Sequence, residues 1–140
     1  MDTNTIGKIT ELKVLTYVIE LGYSVSIPYG DKDRYDQIWD INGKLLRVQV
    51  KTARWKNEQN KAIVFSCKSS YARSSGVRQH SYSKNDIDYF ATYWNNKVYL
   101  IPVEECSTEK TLWFESPSNG CTKCSYAKTY EIEEVLNRID

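Results

Sequence analysis

The sequence predicts one α/β domain with a mixed β-sheet, on three observations. The chain has 140 residues, the usual size of a domain with one hydrophobic core. Its first segment has the apolar spacing of a helix, and the segments that follow change to the period-two pattern of strands. The dipeptide Asn42-Gly43 is the strongest short signal for a β-hairpin. Because no repeat, low-complexity tract or linker interrupts the chain, we expect a single domain over residues 1–140.

The first helix is predicted to begin near Thr3 to Thr5 and to end at Gly22, which suits a left-handed C-terminal cap. Its apolar residues fall on one arc at helical spacing: Leu12, Val14, Leu15, Val18, Ile19 and Leu21. Glu11 lies within this arc, although buried carboxylates are rare unless they are paired or bound to a cation. Glu11 is therefore either a site residue or a carboxylate that caps a backbone group or pairs with a lysine.

The other predicted elements are short. Strands are expected at residues 23–28, 35–41, 44–51, 62–68, 98–103 and 111–115, and helices at residues 83–94 and 130–139. The helix at 83–94 is indicated by the capping-box spacing of Ser83 and Asp86, and by Ile87, Phe90 and Ala91 after it.

The hairpin turn also predicts which side chains share a face of the sheet. In a two-residue hairpin centred on Asn42-Gly43, Asp36 lies opposite Gln49. Opposed residues share a face, and Lys51 projects from the same face two residues later. The opposite face carries apolar residues of the core. Three polar side chains thus converge on a patch that the first helix and Glu11 can reach.

These four residues suit phosphodiester hydrolysis. Mg²⁺ is usually held by one or two carboxylates, which Glu11 and Asp36 would supply, while Gln49 would add a neutral oxygen. Lys51 would orient the attacking water or stabilise charge developing on phosphorus. The alternative is a buried polar network that stabilises the sheet edge, since carboxylates and a lysine also hold each other charged.

Charge is segregated along the chain, although the net charge is only +1. Between Lys44 and Lys84 lie ten basic residues and one acid. Such a distribution favours a positive surface that phosphates follow, or equally a solvated face balanced by acidic neighbours in the fold.

The polar segment 69–83 is predicted to be a loop that contacts DNA, because loops of this length usually have a role. Arginine paired with guanine is the commonest specific contact, so Arg73 and Arg78 are candidates for reading bases. The candidate DNA contacts are Arg54, Lys68, Tyr71, Arg73, Arg78 and His80, and Tyr82 is a further candidate for phosphate bonds or stacking. The alternative is a polar loop without function.

At its candidate site the sequence resembles the PD-(D/E)XK nuclease superfamily. The matching stretches are Gly7 to Glu11, Tyr35-Asp36 and Gln49-Val50-Lys51. Within that superfamily, the run from Pro28 to Thr52 is similar to bacterial homing endonucleases encoded in group I introns. Gln49 stands where the family usually has its third acid, a known variant that removes one negative charge from the site.

The resemblance implies a restriction-endonuclease-like core in αβββαβ order, with a central mixed sheet flanked by helices and an extra C-terminal strand and helix. It implies sequence-specific cleavage of double-stranded DNA by a dimer or tetramer. It also implies a divalent metal, Mg²⁺ or Mn²⁺, with Ca²⁺ binding without turnover. Two other functions stay open: a nuclease of the same fold in junction resolution, restriction or repair, and a DNA-binding module that lost catalysis through Gln49.

Cysteine content and hydropathy predict the compartment. No apolar run approaches the roughly 20 residues that span a bilayer, and the N-terminus lacks a signal-peptide pattern. The cysteines are Cys67, Cys106, Cys121 and Cys124, and the last two form a CxxC with no second pair at zinc-finger spacing. We therefore expect free thiols in a cytoplasmic protein without membrane contact, with a structural zinc site as the less favoured alternative.

Overall fold

The computed structural model describes residues 1–30, 33–73, 76–117 and 123–139; the side chains of residues 70–73 and 76–79 lie outside the description. The helices are α1 (Thr3–Glu20) and α2 (Ile132–Leu136), with 3₁₀ turns at Val103–Glu105 and Ala127–Tyr130. The strands are β1 (Ser24–Ser26), β2 (Gln37–Ile41), β3 (Lys44–Val50), β4 (Arg54–Trp55), β5 (Ala62–Ser66), β6 (Lys68–Arg73), β7 (Gly76–Ser81), β8 (Tyr89–Trp94), β9 (Lys97–Pro102) and β10 (Glu109–Trp113).

The central sheet has five strands in the order β1-β2-β3-β8-β9. Only the β3–β8 pair within it is parallel, so the sheet is mixed, as the sequence predicts. A three-stranded sheet, β10-β5-β4, and the β6–β7 hairpin complete the strands of the described residues. The predicted α/β class is confirmed. No helix in the described part of the chain is long and apolar enough to cross a membrane.

Helix α1 has the predicted ends. The Asp2 side chain accepts a hydrogen bond from the Thr5 N–H at 2.8 Å, which caps the N-terminus. At the C-terminus Gly22 has a φ of 98°, and the N–H groups of Gly22 and Tyr23 bond back to Ile19 and Val18. This is the Schellman arrangement, which needs a residue free to adopt positive φ.

The buried stripe of α1 is narrower than the predicted apolar arc. Val14 and Val18 are fully buried and Glu11 lies on the same stripe, but Leu12 and Ile19 are 61% and 50% exposed. The helix contacts the sheet along one line of residues, so apolar side chains a quarter-turn away stay in solvent. The prediction that Leu12 and Ile19 belong to the core is wrong.

The core lies on both faces of the central sheet. One cluster packs α1 and α2 against the sheet: it includes Val14, Val18, Trp39, Leu46, Val48, Val50, Ile132 and Val135. The second fills the space between the central and three-stranded sheets: it includes Ile63, Phe65, Cys67, Ile87, Phe90, Ile101 and Leu112. Strands β8 and β9 are therefore covered on both faces.

The predicted helix at residues 83–94 is wrong. The second half of this segment is strand β8, and in the first half Ser83 and Asp86 form a turn, in which the Asp86 carboxylate accepts a hydrogen bond from the Ser83 N–H at 3.0 Å. Asn95 and Asn96 have φ values of 48° and 66°, which form a β8–β9 hairpin turn rather than a helix end. A strand buried on both faces has no period-two pattern, so it resembles a buried helix in sequence.

The predicted loop at 69–83 is also wrong in its local structure. Strands β6 and β7 pair antiparallel from Lys68↔Ser81 to Arg73↔Gly76, with Tyr71 opposite Arg78. A polar hairpin can pair through its backbone without an apolar face, so its composition predicts a loop. The tip at residues 74 and 75 lies outside the described residues.

Candidate active site

The β2–β3 hairpin has the predicted turn. Asn42 and Gly43 have φ values of 55° and 95°, and the strands pair from Ile41↔Lys44 to Gln37↔Val48. Beyond that pair the ladder changes, because the Asp36 N–H donates to the Val48 carbonyl at 2.8 Å. Asp36 and Gln37 thus both lie opposite Val48, which is a β-bulge. The predicted direct pairing of Asp36 with Gln49 is wrong for this reason.

The bulge directs the Asp36 side chain toward the end of β3. Its Oδ2 accepts a hydrogen bond from the Val50 N–H at 2.9 Å, and the Glu11 side chain lies close enough to its carboxyl group to act on its charge. Burial, with a smaller contribution from the Glu11 charge, raises the pKa of Asp36 to about 7, against the opposing effects of the Val50 hydrogen bond and Lys51. Asp36 therefore contacts an acid on one side and lies near a base on the other.

Glu11 is placed by a buried hydrogen-bond chain. The Trp39 Nε1–H donates to Gln37 Oε1 at 2.9 Å, and Gln37 Nε2 donates to the Glu11 backbone carbonyl at 2.9 Å. Gln37 and Trp39 are almost fully buried, so these two hydrogen bonds fix the position of α1 relative to β2. The Glu11 side chain is 25% exposed and lies 3.5 Å from the ammonium of Lys8.

Lys51 directly follows β3, and its side chain lies on the opposite face of the strand from that of Val50. Its Nζ donates to the backbone carbonyl of Lys68 at 2.8 Å and lies 5.6 Å from the centre of the Tyr82 ring. Burial lowers the pKa of Lys51, while the nearby Asp36 carboxylate acts to raise it. A hydrogen bond of 3.0 Å between the hydroxyls of Thr10 and Thr52 ties the end of β3 to α1.

Gln49 is half-buried on the same face of β3 as Lys51, paired with Phe90 of β8. Among the described residues its amide makes no hydrogen bond to the other three predicted site residues. The structure therefore brings Glu11, Asp36 and Lys51 together, and it places Gln49 beside them on the strand.

Two further residues lie next to Lys51: Arg34, which the sequence analysis does not name, and Tyr82, which it names only as a candidate DNA contact. The guanidinium of Arg34 lies 4.0 Å above the Tyr82 ring. Its positive charge adds to the lowering of the Lys51 pKa that burial causes. The Tyr82 ring packs edge-on against Phe90, with ring centres 5.3 Å apart. The sequence signal that could have placed Arg34 near the site is its position two residues before Asp36.

The candidate DNA contacts fall on different parts of the fold. Arg54 lies on β4 of the smaller sheet, where it pairs with Glu109 at 3.1 Å. Lys68 begins β6 directly beside Lys51, and His80 is exposed on β7 opposite Ser69. The side chains of three further candidates, Tyr71, Arg73 and Arg78, lie outside the described residues.

A family model described as PD-(D/E)XK endonuclease matches residues 1–133. The chain belongs to this family. A solved structure of a bacterial homing endonuclease, I-Ssp6803I, has the same fold, with a TM-score of 0.77 and 22% sequence identity over 98% of this chain and 93% of that one. No curated protein matches the chain.

Nucleases of the PD-(D/E)XK family generally use divalent metals, and the donors of this site fit one. Two partly buried carboxyl groups in contact repel each other when both are charged, and a hard cation between them removes that repulsion. They line a cavity of about 460 Å³ with Lys8, Gly30 and Asp33. No group of three or more His, Cys, Asp or Glu side chains at metal-binding distance occurs within the described ranges, so any further ligands would be the Gln49 carbonyl and water.

Cys67 and Cys106 are free thiols, as predicted, and Cys121 of the CxxC pair lies outside the described residues. The Cys106 thiol donates to the Pro102 carbonyl at 3.7 Å, and its proximity to Cys67 lowers the pKa of the Cys67 thiol.

Proposed function

We propose that this protein is a Mg²⁺-dependent, sequence-specific endonuclease of the homing type that cuts both strands of duplex DNA. The observation that carries the proposal is the contact of Asp36 with Glu11 on one side and its proximity to Lys51 on the other, within a PD-(D/E)XK fold. The homing role is supported by the fold shared with I-Ssp6803I, which is described as a homing endonuclease.

Each residue has a task that its position allows. Glu11 and Asp36, with the Gln49 carbonyl, would hold the metal ion, which when bound polarises the phosphate and activates water. The Lys51 ammonium, held by the Lys68 carbonyl at 2.8 Å, would neutralise charge that develops on the phosphoryl oxygens.

A plasmid-nicking assay tests catalysis. Supercoiled DNA should be nicked and linearised with Mg²⁺ or Mn²⁺ and should be bound but left intact with Ca²⁺. Lys51→Ala should slow cleavage by about 10²–10³-fold, as loss of a charge-stabilising donor does in other enzymes. Lys44→Ala, at the exposed start of the same strand, is the control and should cut at the wild-type rate. Equal rates for wild type and Lys51→Ala would refute the assigned site.

The biological role needs a different experiment. Cleaved sites should be selected from a random library, where a homing enzyme returns one long site. Resolution of junctions, restriction or repair would instead give cleavage dictated by branches, a short site or a lesion. Any of those results would leave the site assignment intact but would remove the homing role.

A DNA-binding module without activity is the second candidate, because Gln49 removes one anionic metal ligand. This candidate predicts specific binding with no Mg²⁺-dependent nicking by the wild type. The partners we propose are double-stranded DNA and a second or further copies of this chain, as a dimer or tetramer, since one site per chain must cut two strands. Sedimentation of the chain with and without its DNA site would measure the copy number.

A further inference from the structure

Arg34 is positioned beside Lys51 by contacts from the turn before β8. Its Nη2 donates to the Ser81 carbonyl at 3.0 Å, and its Nη1 lies 3.4 Å from Oδ2 of Asp86. The guanidinium stacks on Tyr82 at 4.0 Å. A planar guanidinium held on a ring loses little freedom when it binds a further partner, because its orientation is already set.

Arg34 and Lys51 form a pair of cations at one aromatic ring. The distances from the ring centre are 4.0 Å for Arg34 and 5.6 Å for Lys51. The carboxylate beside Arg34 is shared, because Asp86 Oδ2 also accepts the Ser83 N–H at 3.0 Å. Two positive charges held together in a partly buried place favour the binding of an anion. A guanidinium has five N–H donors, and the contacts of Arg34 with Ser81 and Asp86 use two of them.

Arg47 shows what a purely structural arginine looks like in the same region. It bonds to the carbonyls of Lys84 and Asn85 at 2.7 and 2.9 Å and pairs with Asp88 at 3.3 Å. Arg47 thus links the same turn to β3 through the same kinds of group, but the described contacts place no aromatic ring against its guanidinium. Arg34 therefore differs from Arg47 in its place next to the candidate site.

We propose that Arg34 binds a backbone phosphate adjacent to the one that is cleaved, so that it places the DNA strand over Lys51. The inference rests on the proposed function, since it takes Lys51 as the residue at the cleaved phosphate. Arg34 contributes to binding of substrate and transition state equally, so its loss should affect DNA affinity and KM rather than kcat.

The test compares Arg34→Gln, Arg34→Lys and Arg47→Gln in DNA binding with Ca²⁺ at several salt concentrations. Arg34→Gln should bind about ten-fold more weakly and should reduce the slope of log Kd against log salt by about one. Arg34→Lys keeps the charge and should keep the slope. Arg47→Gln should lose thermal stability but keep the wild-type slope and affinity. Equal slopes for wild type and Arg34→Gln would overturn the inference, as would a fall in kcat with unchanged affinity.

A measurement on the wild type decides the matter if Arg34→Gln does not fold. DNA with a neutral methylphosphonate on either side of the cleaved bond should bind wild type about ten-fold more weakly at one of the two positions. No loss at either position overturns the inference. Wild type that binds no DNA would refute the proposed function instead, so the two failures are distinguishable.

Discussion

Replacing Asp36 by Asn should stabilise the protein at neutral pH while abolishing cleavage. Asn keeps the shape and can still accept the Val50 N–H, which Asp36 binds at 2.9 Å. It removes a carboxyl group whose pKa rises from 3.8 to about 7 on folding, mainly because of burial. At 1.36 kcal/mol per pKa unit, ionised Asp36 costs the metal-free fold about 4 kcal/mol.

The sign follows from proton linkage. The folded protein retains the Asp36 proton up to about pH 7, whereas the unfolded chain releases it near pH 4. Stability from this group is therefore present below pH 4 and is lost as pH rises to 7, after which both states are ionised. Asp36→Asn cannot titrate, so its advantage over wild type should grow by about 3 kcal/mol between pH 5 and pH 8.

Urea unfolding of both proteins at pH 5 and pH 8, without metal, measures this difference. The exposed Asp33→Asn is the matched control and should stay within about 0.5 kcal/mol of wild type at both pH values. Adding Mg²⁺ at pH 8 should raise the Tm of wild type but not that of Asp36→Asn, because only the former keeps both carboxylates. The difference in unfolding free energy between Asp36→Asn and wild type should grow from pH 5 to pH 8. If it does not, burial does not oppose the ionisation of Asp36 and the reasoning is refuted.

Four other variants test residues around Asp36 and on the β6–β7 hairpin. Gln49→Glu should lower the Mg²⁺ concentration for half-maximal nicking, since it adds an anionic ligand, and an unchanged concentration would place Gln49 outside the metal site. Gln37→Ala should cost about 2–4 kcal/mol in urea unfolding, because it leaves the buried Trp39 indole N–H without its acceptor and frees α1 from β2. Arg73→Ala or Arg78→Ala should relax base preference by roughly 1–3 kcal/mol at particular positions of the selected site, whereas a uniform loss would indicate phosphate contact.

The parts of the site that the sequence predicts are those set by local chemistry. Asn42-Gly43 favours the turn whatever surrounds it, and the turn sets the β2–β3 register as far as Gln37↔Val48. Glu11 was found because a carboxylate interrupts an apolar stripe. In both cases the signal lies within a few residues of the feature.

The parts that could not be predicted depend on distant segments. The Asp36 bulge leaves no mark in the sequence of β2, and whether 89–94 forms a strand is decided by β3 and β9 on either side of it. Arg34 joins the site only because the turn near Ser81 and Asp86 folds back onto it. Contacts of this kind follow from the tertiary arrangement rather than from local spacing.

A neutral residue at position 49 is consistent with the electrostatics of the neighbouring Asp36 and Glu11 carboxyl groups. Asp36 already contacts Glu11 in a partly buried place, and the Val50 N–H that binds it belongs to the peptide that Gln49 begins. A third carboxylate beside this pair would raise the cost of ionising Asp36 in the metal-free protein. As the proposed metal ligand, Gln49 would offer a neutral oxygen without that cost, so the site would lose some metal affinity and gain stability before metal binds. On this argument Gln49→Glu should bind Mg²⁺ more tightly and yet be less stable than wild type in urea when metal is absent.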